Sequence, residues 1–159
     1  MAESWASSEG VRRSMLANRS RDTGPELAIR KRVHAMGLRY RVSARPISGL
    51  RRTADLVVAT ERIAVFIDGC FWHGCPEHRR SPRANADYWS AKVQRNRLRD
   101  GDTDNALAES GWTVLRFWEH ESPEGVAEAI WQAVASARVQ AGTSPLSARR
   151  SRLPGGGQP

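Results

Sequence analysis

Apolar residues recur along this chain at two periods, and the switches between them lay out its elements. Ile29, Val33 and Met36 fall at helical spacing behind Thr23, with Pro25 just inside the start, Glu26 three residues after Thr23 in a capping-box arrangement, and Gly37 at the stop. Short extended segments are predicted at Leu38–Val42 and Thr53–Val58, separated by a turn around Pro46–Gly49. Ile63–Ile67 is a continuous apolar run of strand length, the pattern of a central strand covered on both faces. Cys70–Arg83, rich in Cys, His, Pro and Gly, reads as a loop. Ala86–Ser110 reads as a helix with sparse apolar residues, which predicts that it presents a functional face. Thr113–Trp118 is a further strand, and Ser122-Pro123-Glu124 opens a C-terminal amphipathic helix carrying Val126, Ile130, Trp131 and Val134. The order predicts an α/β (α+β) domain, a mixed central β-sheet flanked by α-helices.

A chain of 159 residues holds one domain with a respectable core but not comfortably two. The expected division is a flexible arm over 1–22, the domain over 23–139 and a disordered basic tail over 140–159. The chain lacks a run of eighteen apolar residues and its first ten residues are polar and acidic, so a soluble, unexported, cytoplasmic protein without membrane partners is expected. Cys70 and Cys75 lie too close for a disulfide that closes a useful loop, in keeping with a reducing compartment. The ends carry +5 of the formal +8 charge; within the body, residues 27–99 hold sixteen Lys and Arg against five acids, whereas 100–139 hold two against eight. A basic central surface suits a phosphate backbone, and the plain alternative is a solvated surface of mixed charge.

Chemistry concentrates in two places. Between Asp68 and His78 lie two thiols and two imidazoles, more than a core needs; Cys70, Cys75 and His78, with His120 arriving from the end of the last strand, make a four-ligand set of the kind zinc prefers. Ordinary buried thiols and surface histidines are the alternative. Asp55 interrupts an otherwise apolar strand and Asp68 ends the next, so neighbouring strands would bring two carboxylates together as oxygen ligands for Mg²⁺. His73 adds a candidate general base. Phe71 and Trp72, adjacent in a Gly-flanked loop, suit wedging between bases or packing as a small core over the cysteines. Trp89, beside Tyr88, with Lys92, Arg95 and Asn96, can share one helix face aimed at DNA, or form a partly buried helix with a solvated charged side.

Arg21-Asp22-Thr23-Gly24-Pro25-Glu26, the Asp55 strand, Gly69-Cys70-Phe71-Trp72-His73, Tyr88-Trp89 with Asn96 and Asp100, and Gly111–Glu119 together resemble the very short patch repair (Vsr) DNA mismatch endonucleases from about Met15 to about Trp131. The resemblance implies a restriction-endonuclease-like core with one structural Zn²⁺, and a monomer that nicks double-stranded DNA 5′ to the thymine of a T:G mismatch. That nick initiates repair of deaminated 5-methylcytosine, with repair factors as further partners and a nucleoid-associated location. It assigns Asp55 and the Ile67 backbone carbonyl to Mg²⁺, His73 to the attacking water, Asp100 to metal-bound water and Glu26 to support of the site. Phe71, Trp72 and Trp89 match aromatics that wedge beside the mismatch, and Met15 matches an arm residue entering the minor groove. The chain departs from the family in Ala54, where Pro is usual, and in Asp68, a candidate direct Mg²⁺ ligand where members carry a His assisting a second metal. It also has His120 in place of a zinc thiol, and a shorter zinc loop that makes His78 the third ligand. A zinc-containing DNA-binding module without nuclease activity, and a restriction-type endonuclease acting on matched DNA, are the two competing expectations.

Overall fold

A computed structural model describes residues 9–10, 21–78 and 83–142. Helix α1 (Gly24–Ala35) leads into β1 (Arg41–Ala44), β2 (Ala54–Val58) and β3 (Ile63–Asp68). A single-turn helix α2 (Cys70–His73), the long helix α3 (Ala86–Glu109), β4 (Thr113–Trp118) and α4 (Pro123–Gln140) follow. The strands lie side by side in the order β1-β2-β3-β4. The β1–β2 and β2–β3 pairs are antiparallel and β3–β4 is parallel, which makes the sheet mixed, as the alternation of elements predicts. A parallel pair needs a long crossover, and α2 and α3 supply it.

β3 is central, hydrogen-bonded on both edges and covered on both faces, which is why its sequence is continuously apolar. One face of the sheet, through Leu56, Val58, Ile63 and Val65, packs against Ile29 and Val33 of α1 and Val126, Ile130 and Val134 of α4. The other, through Val57, Ala64 and Phe66, packs against Leu107 of α3. Strand side chains alternate between faces. Asp55 shares the parity of Val57, Asp68 that of Phe66, and Arg116 that of Val114, so all three charged residues belong to the α3 side of the sheet. No helix among the described residues is long and apolar enough to cross a membrane.

Two elements differ from expectation. β1 begins at Arg41 rather than Leu38, because Leu38 is buried in the core ahead of the strand and the Tyr40 hydroxyl donates to the Arg30 carbonyl at 3.0 Å. The expected loop after Gly69 opens with the helical turn α2. Its local signals are weak, but distant residues close it: the Glu119 carboxylate accepts the Cys70 N–H at 2.7 Å, the Asn96 amide donates to the Trp72 carbonyl at 2.8 Å, and the Arg97 Nε donates to the His73 carbonyl at 3.1 Å. The arm residue Met15 lies outside the described residues, as does most of the expected basic tail.

Gly74 fixes how α2 seats on α3. Its φ of 65° is left-handed, and a Cβ built there would stand 2.7 Å from Cγ1 of Val93. Gly74→Ala is therefore expected to lower unfolding stability by roughly 1–3 kcal/mol through strain and overpacking. Urea denaturation followed by tryptophan fluorescence measures it, and an unchanged midpoint would show that the turn has another seat.

Candidate active site

Asp55 is presented where the β2–β3 ladder gives way to a side chain. The paired positions end at Leu56 opposite Val65, and Oδ2 of Asp55 then accepts the Ile67 N–H at 2.7 Å. Burial pushes the Asp55 carboxyl up to about 6; the Ile67 hydrogen bond opposes the rise, while the neighbouring Glu26 and Asp68 charges add to it and Arg30 subtracts. On the other side, the β1–β2 register puts Ser43 opposite Asp55, with a left-handed φ of 46°.

Glu26, 4% exposed, reaches the same cleft from the start of α1. Its carboxylate accepts from the Asp22 N–H at 2.9 Å, the Thr23 hydroxyl at 3.0 Å and Arg30 Nη2 at 2.8 Å. The capping box is thus altered. Thr23 is the N-cap, but its hydroxyl donates to Glu26 instead of accepting a helix N–H, and the returning carboxylate takes the Asp22 N–H. Glu26 secures the helix end and faces Asp55 from one position.

Across the cleft stand Asp68, His73 and Asp100, whose ligand-type atoms all lie within 4.8 Å of one another. His73 Nδ1 is 2.7 Å from Asp100 Oδ2 and 3.8 Å from Asp68 Oδ1. An ionised carboxylate only accepts, so Nδ1 carries the proton and Nε2 is left as the basic nitrogen. Burial works against the Asp100 charge, but the His73 hydrogen bond, the His73 charge when that ring is protonated, and the charges of Arg116 and Arg99 outweigh it and hold Asp100 below its usual range. At Asp68 burial prevails, raising its carboxyl despite Arg116 and His73. Asp55, Glu26, Asp68, His73 and Asp100 all line one cleft of about 560 Å³, and Arg52, Lys92 and Arg99 line it with them.

The second group is the cysteine–histidine cluster. The ligand atoms of Cys70, Cys75, His78 and His120 lie within 4.8 Å of one another, with Cys70 Sγ 3.1 Å and Cys75 Sγ 3.7 Å from His120 Nδ1, and Cys75 Sγ 3.8 Å from His78 Nδ1. Tetrahedral Zn²⁺ bonds to sulfur and nitrogen would place such atoms roughly 3.5 Å apart, so the donor set fits that ion in chemistry and in spacing. Burial and the neighbouring Cys75 push the Cys70 thiol up to about 11, a cost that a divalent cation would reverse. Glu77 lies 3.5 Å from the free Nε2 of His120, the kind of outer carboxylate that orients a ligating imidazole. Both cysteines are free thiols, as their spacing predicts.

The aromatics do not splay apart as neighbours in an extended loop would. Because α2 is a helical turn, Phe71 and Trp72 meet edge to face at 5.1 Å, and Trp89 joins them at 5.2 and 5.9 Å. The Lys92 ammonium lies 5.1 Å from the Trp72 ring and 5.5 Å from that of Trp89. All three aromatics are half-buried, so the cluster is at once a small core and a surface. Asn96, expected as a DNA contact, uses its amide on the Trp72 carbonyl; Arg95 is exposed and does not line the cleft. Arg30, Asp104 and Arg116 escaped the sequence reading. Arg116 carried the same signal as Asp55, a charge inside an apolar strand, and Arg30 stands four residues after Glu26 on one helix face.

The profile of DNA mismatch endonuclease Vsr matches residues 7–79. The type II nicking enzyme V.NaeI of Lentzea aerocolonigenes is 44% identical over 123 residues, 76% of this chain and 74% of that relative. The type II nicking enzyme V.NmeDIP of Neisseria meningitidis serogroup C is 38% identical over 131 residues, 79% of this chain and 86% of the relative. The DNA mismatch endonuclease Vsr of Escherichia coli K12 is 32% identical over 111 residues, 67% of each chain. The chain belongs to the Vsr family of DNA endonucleases.

Proposed function

We propose that this endonuclease is Mg²⁺-dependent and nicks one strand of duplex DNA 5′ to the thymine of a T:G mismatch in a preferred sequence context, initiating very short patch repair. The observation that carries the reading is one cleft shared by Asp55, Glu26 and the Asp100–His73 pair, rimmed by Arg52, Lys92 and Arg99. Asp55 and the Ile67 carbonyl are the groups to hold Mg²⁺, and the Asp55 carboxylate already sits on the Ile67 backbone. When bound, that ion polarises the scissile phosphodiester. His73, fixed through Nδ1 by Asp100, takes the proton of the attacking water at Nε2. Phe71, Trp72 and Trp89 form the face that wedges beside the mismatched pair, whose weaker pairing lowers the cost of separation. Arg95 and Lys92 then neutralise phosphates.

The relatives named as type II nicking enzymes support context dependence, and a second reading is a restriction-type endonuclease acting on matched DNA. Duplexes carrying a T:G pair or its matched counterpart in varied flanks separate the two. Nicking confined to T:G duplexes supports the proposal; equal cutting of matched DNA would sink it. Asp55→Asn should lower the single-turnover nicking rate roughly a hundredfold or more, the scale of losing an anchored metal.

The pH dependence has a definite sign. Asp55 binds its proton more tightly in the folded protein, with a pKa of about 6 against an ordinary 3.8, so its ionised form destabilises the metal-free fold above pH 6, and that cost is relieved as pH falls through 6 toward 3.8. Mg²⁺ competes with this proton, so its apparent affinity should fall about tenfold per pH unit below 6. Calorimetric titration from pH 5 to 8 checks the slope, and a flat profile would place the ion elsewhere.

Zn²⁺ belongs in this reading to Cys70, Cys75, His78 and His120. Stripping it with a chelator, or Cys75→Ser, should cut the near-ultraviolet circular dichroism of the Phe71–Trp72–Trp89 cluster and lower Tm, because α2 begins at one of the ligands. Full aromatic dichroism in zinc-free protein would dissociate the cluster from the turn.

A further inference from the structure

The acidic wall of the cleft already contains a cation. Arg116 rises from the middle of β4 with its side chain 21% exposed, and its guanidinium lies 4.4 Å from the centre of the Phe66 ring. Nε donates to both Asp104 oxygens at 3.0 and 2.9 Å, and Nη2 reaches Asp104 Oδ1 at 2.8 Å. Nη1 donates to Asp68 Oδ1 at 3.0 Å and Oδ2 at 3.2 Å. Nη2 also lies 3.9 Å from Asp100 Oδ1 and 3.5 Å from the Asp100 carbonyl. One guanidinium therefore bridges the three carboxylates that face α3 from β3 and line α3 itself.

We infer that Arg116 stands in for a second metal ion, so that the cleft takes a single divalent cation on its Asp55 side. This rests on the reading of Asp55 as a metal ligand. The spacing of Asp68, His73 and Asp100 alone would admit an ion. But both Asp68 oxygens are engaged by a group that cannot lose its proton, so a divalent ion on Asp68 would have to displace that group and then sit beside its fixed positive charge. Asp104 and the Phe66 face hold Arg116 from behind, which opposes its withdrawal. On the other side the situation is reversed. Arg30 is committed to Glu26 and Asp22, and Asp55 has no ion pair among the described residues, its hydrogen bond being to the neutral Ile67 N–H. Arg116 is thus a positioning residue: it neutralises Asp68 and supports the Asp100 that orients His73.

Counting bound Mn²⁺ by electron paramagnetic resonance, on the full chain with its cysteine cluster loaded with Zn²⁺, tests this without turnover. Wild type should bind one Mn²⁺ per chain, and Asp55→Asn should lose it. Asp68→Asn should leave the count at one and shift the dissociation constant by less than about tenfold, the lower bound for disturbing a group behind the ligands. Arg116→Met, or Arg116→Gln if only that variant keeps the parent circular dichroism, should gain a second Mn²⁺ that is lost again on adding Asp68→Asn, whereas Arg116→Lys should keep one. Two Mn²⁺ on wild type, loss of the ion in Asp68→Asn, or a folded uncharged variant that still binds one would overturn the inference. Mn²⁺ binding unaffected by Asp55→Asn would instead bring down the assignment of Asp55 and this inference with it.

Discussion

A carboxylate half-buried between two strands is costly, and the site is organised around that cost. Asp55 replaces the next rung of the β2–β3 ladder with its own hydrogen bond to the Ile67 N–H, which fixes its position relative to the β3 backbone. No cation of the protein contacts it among the described residues, and burial with Glu26 and Asp68 nearby lifts its pKa to about 6. A carboxylate held so firmly and compensated so poorly is what the proposed metal-binding role of Asp55 draws on. The neighbouring carboxylates each have a partner among the described residues. Glu26 has Arg30, Asp68 and Asp104 have Arg116, and Asp100 has His73.

The cysteine–histidine cluster acts on the same cleft through α2. This turn is too short to stand by local propensity, since one helical turn fixes more dihedrals than its hydrogen bonds repay. It is tied at its start by Glu119, along its length by Asn96 and Arg97, and just beyond its end by Cys75. Within four residues it carries a cluster ligand, two members of the aromatic face and the imidazole bonded to Asp100. The cysteine–histidine cluster and the His73–Asp100 pair are therefore mechanically joined, with Phe71 and Trp72 between them along the chain.

Much of this was legible in the sequence wherever a residue violated the pattern around it. Asp55 in an apolar strand, and thiols and imidazoles crowded into one segment, are expensive unless they have a use, and the structure brings both sets together. The helices and the mixed sheet followed from periodicity and from Pro and Gly punctuation. What escaped depends on distant partners. α2 looks like a loop because its stabilising bonds come from α3 and from the residue after β4, and β1 reads as starting early because Leu38 serves the core without joining the ladder. Asn96 reads as a free polar group until α2 is in place beneath it.

Arg116 shows how the same local signal divides into two outcomes. A charge in the middle of a sheet must be neutralised, either by the fold or by something the fold binds. β4 carries Arg116 to the α3 side, where Asp68 ends the adjacent parallel strand and Asp104 lies on the helix above, so its neutralisation is internal. β2 carries Asp55 to the same side but toward the antiparallel edge, where Arg30 is already committed to Glu26. Strand order thus separates a self-compensated wall from a poorly compensated one, and the proposed metal site lies on the latter.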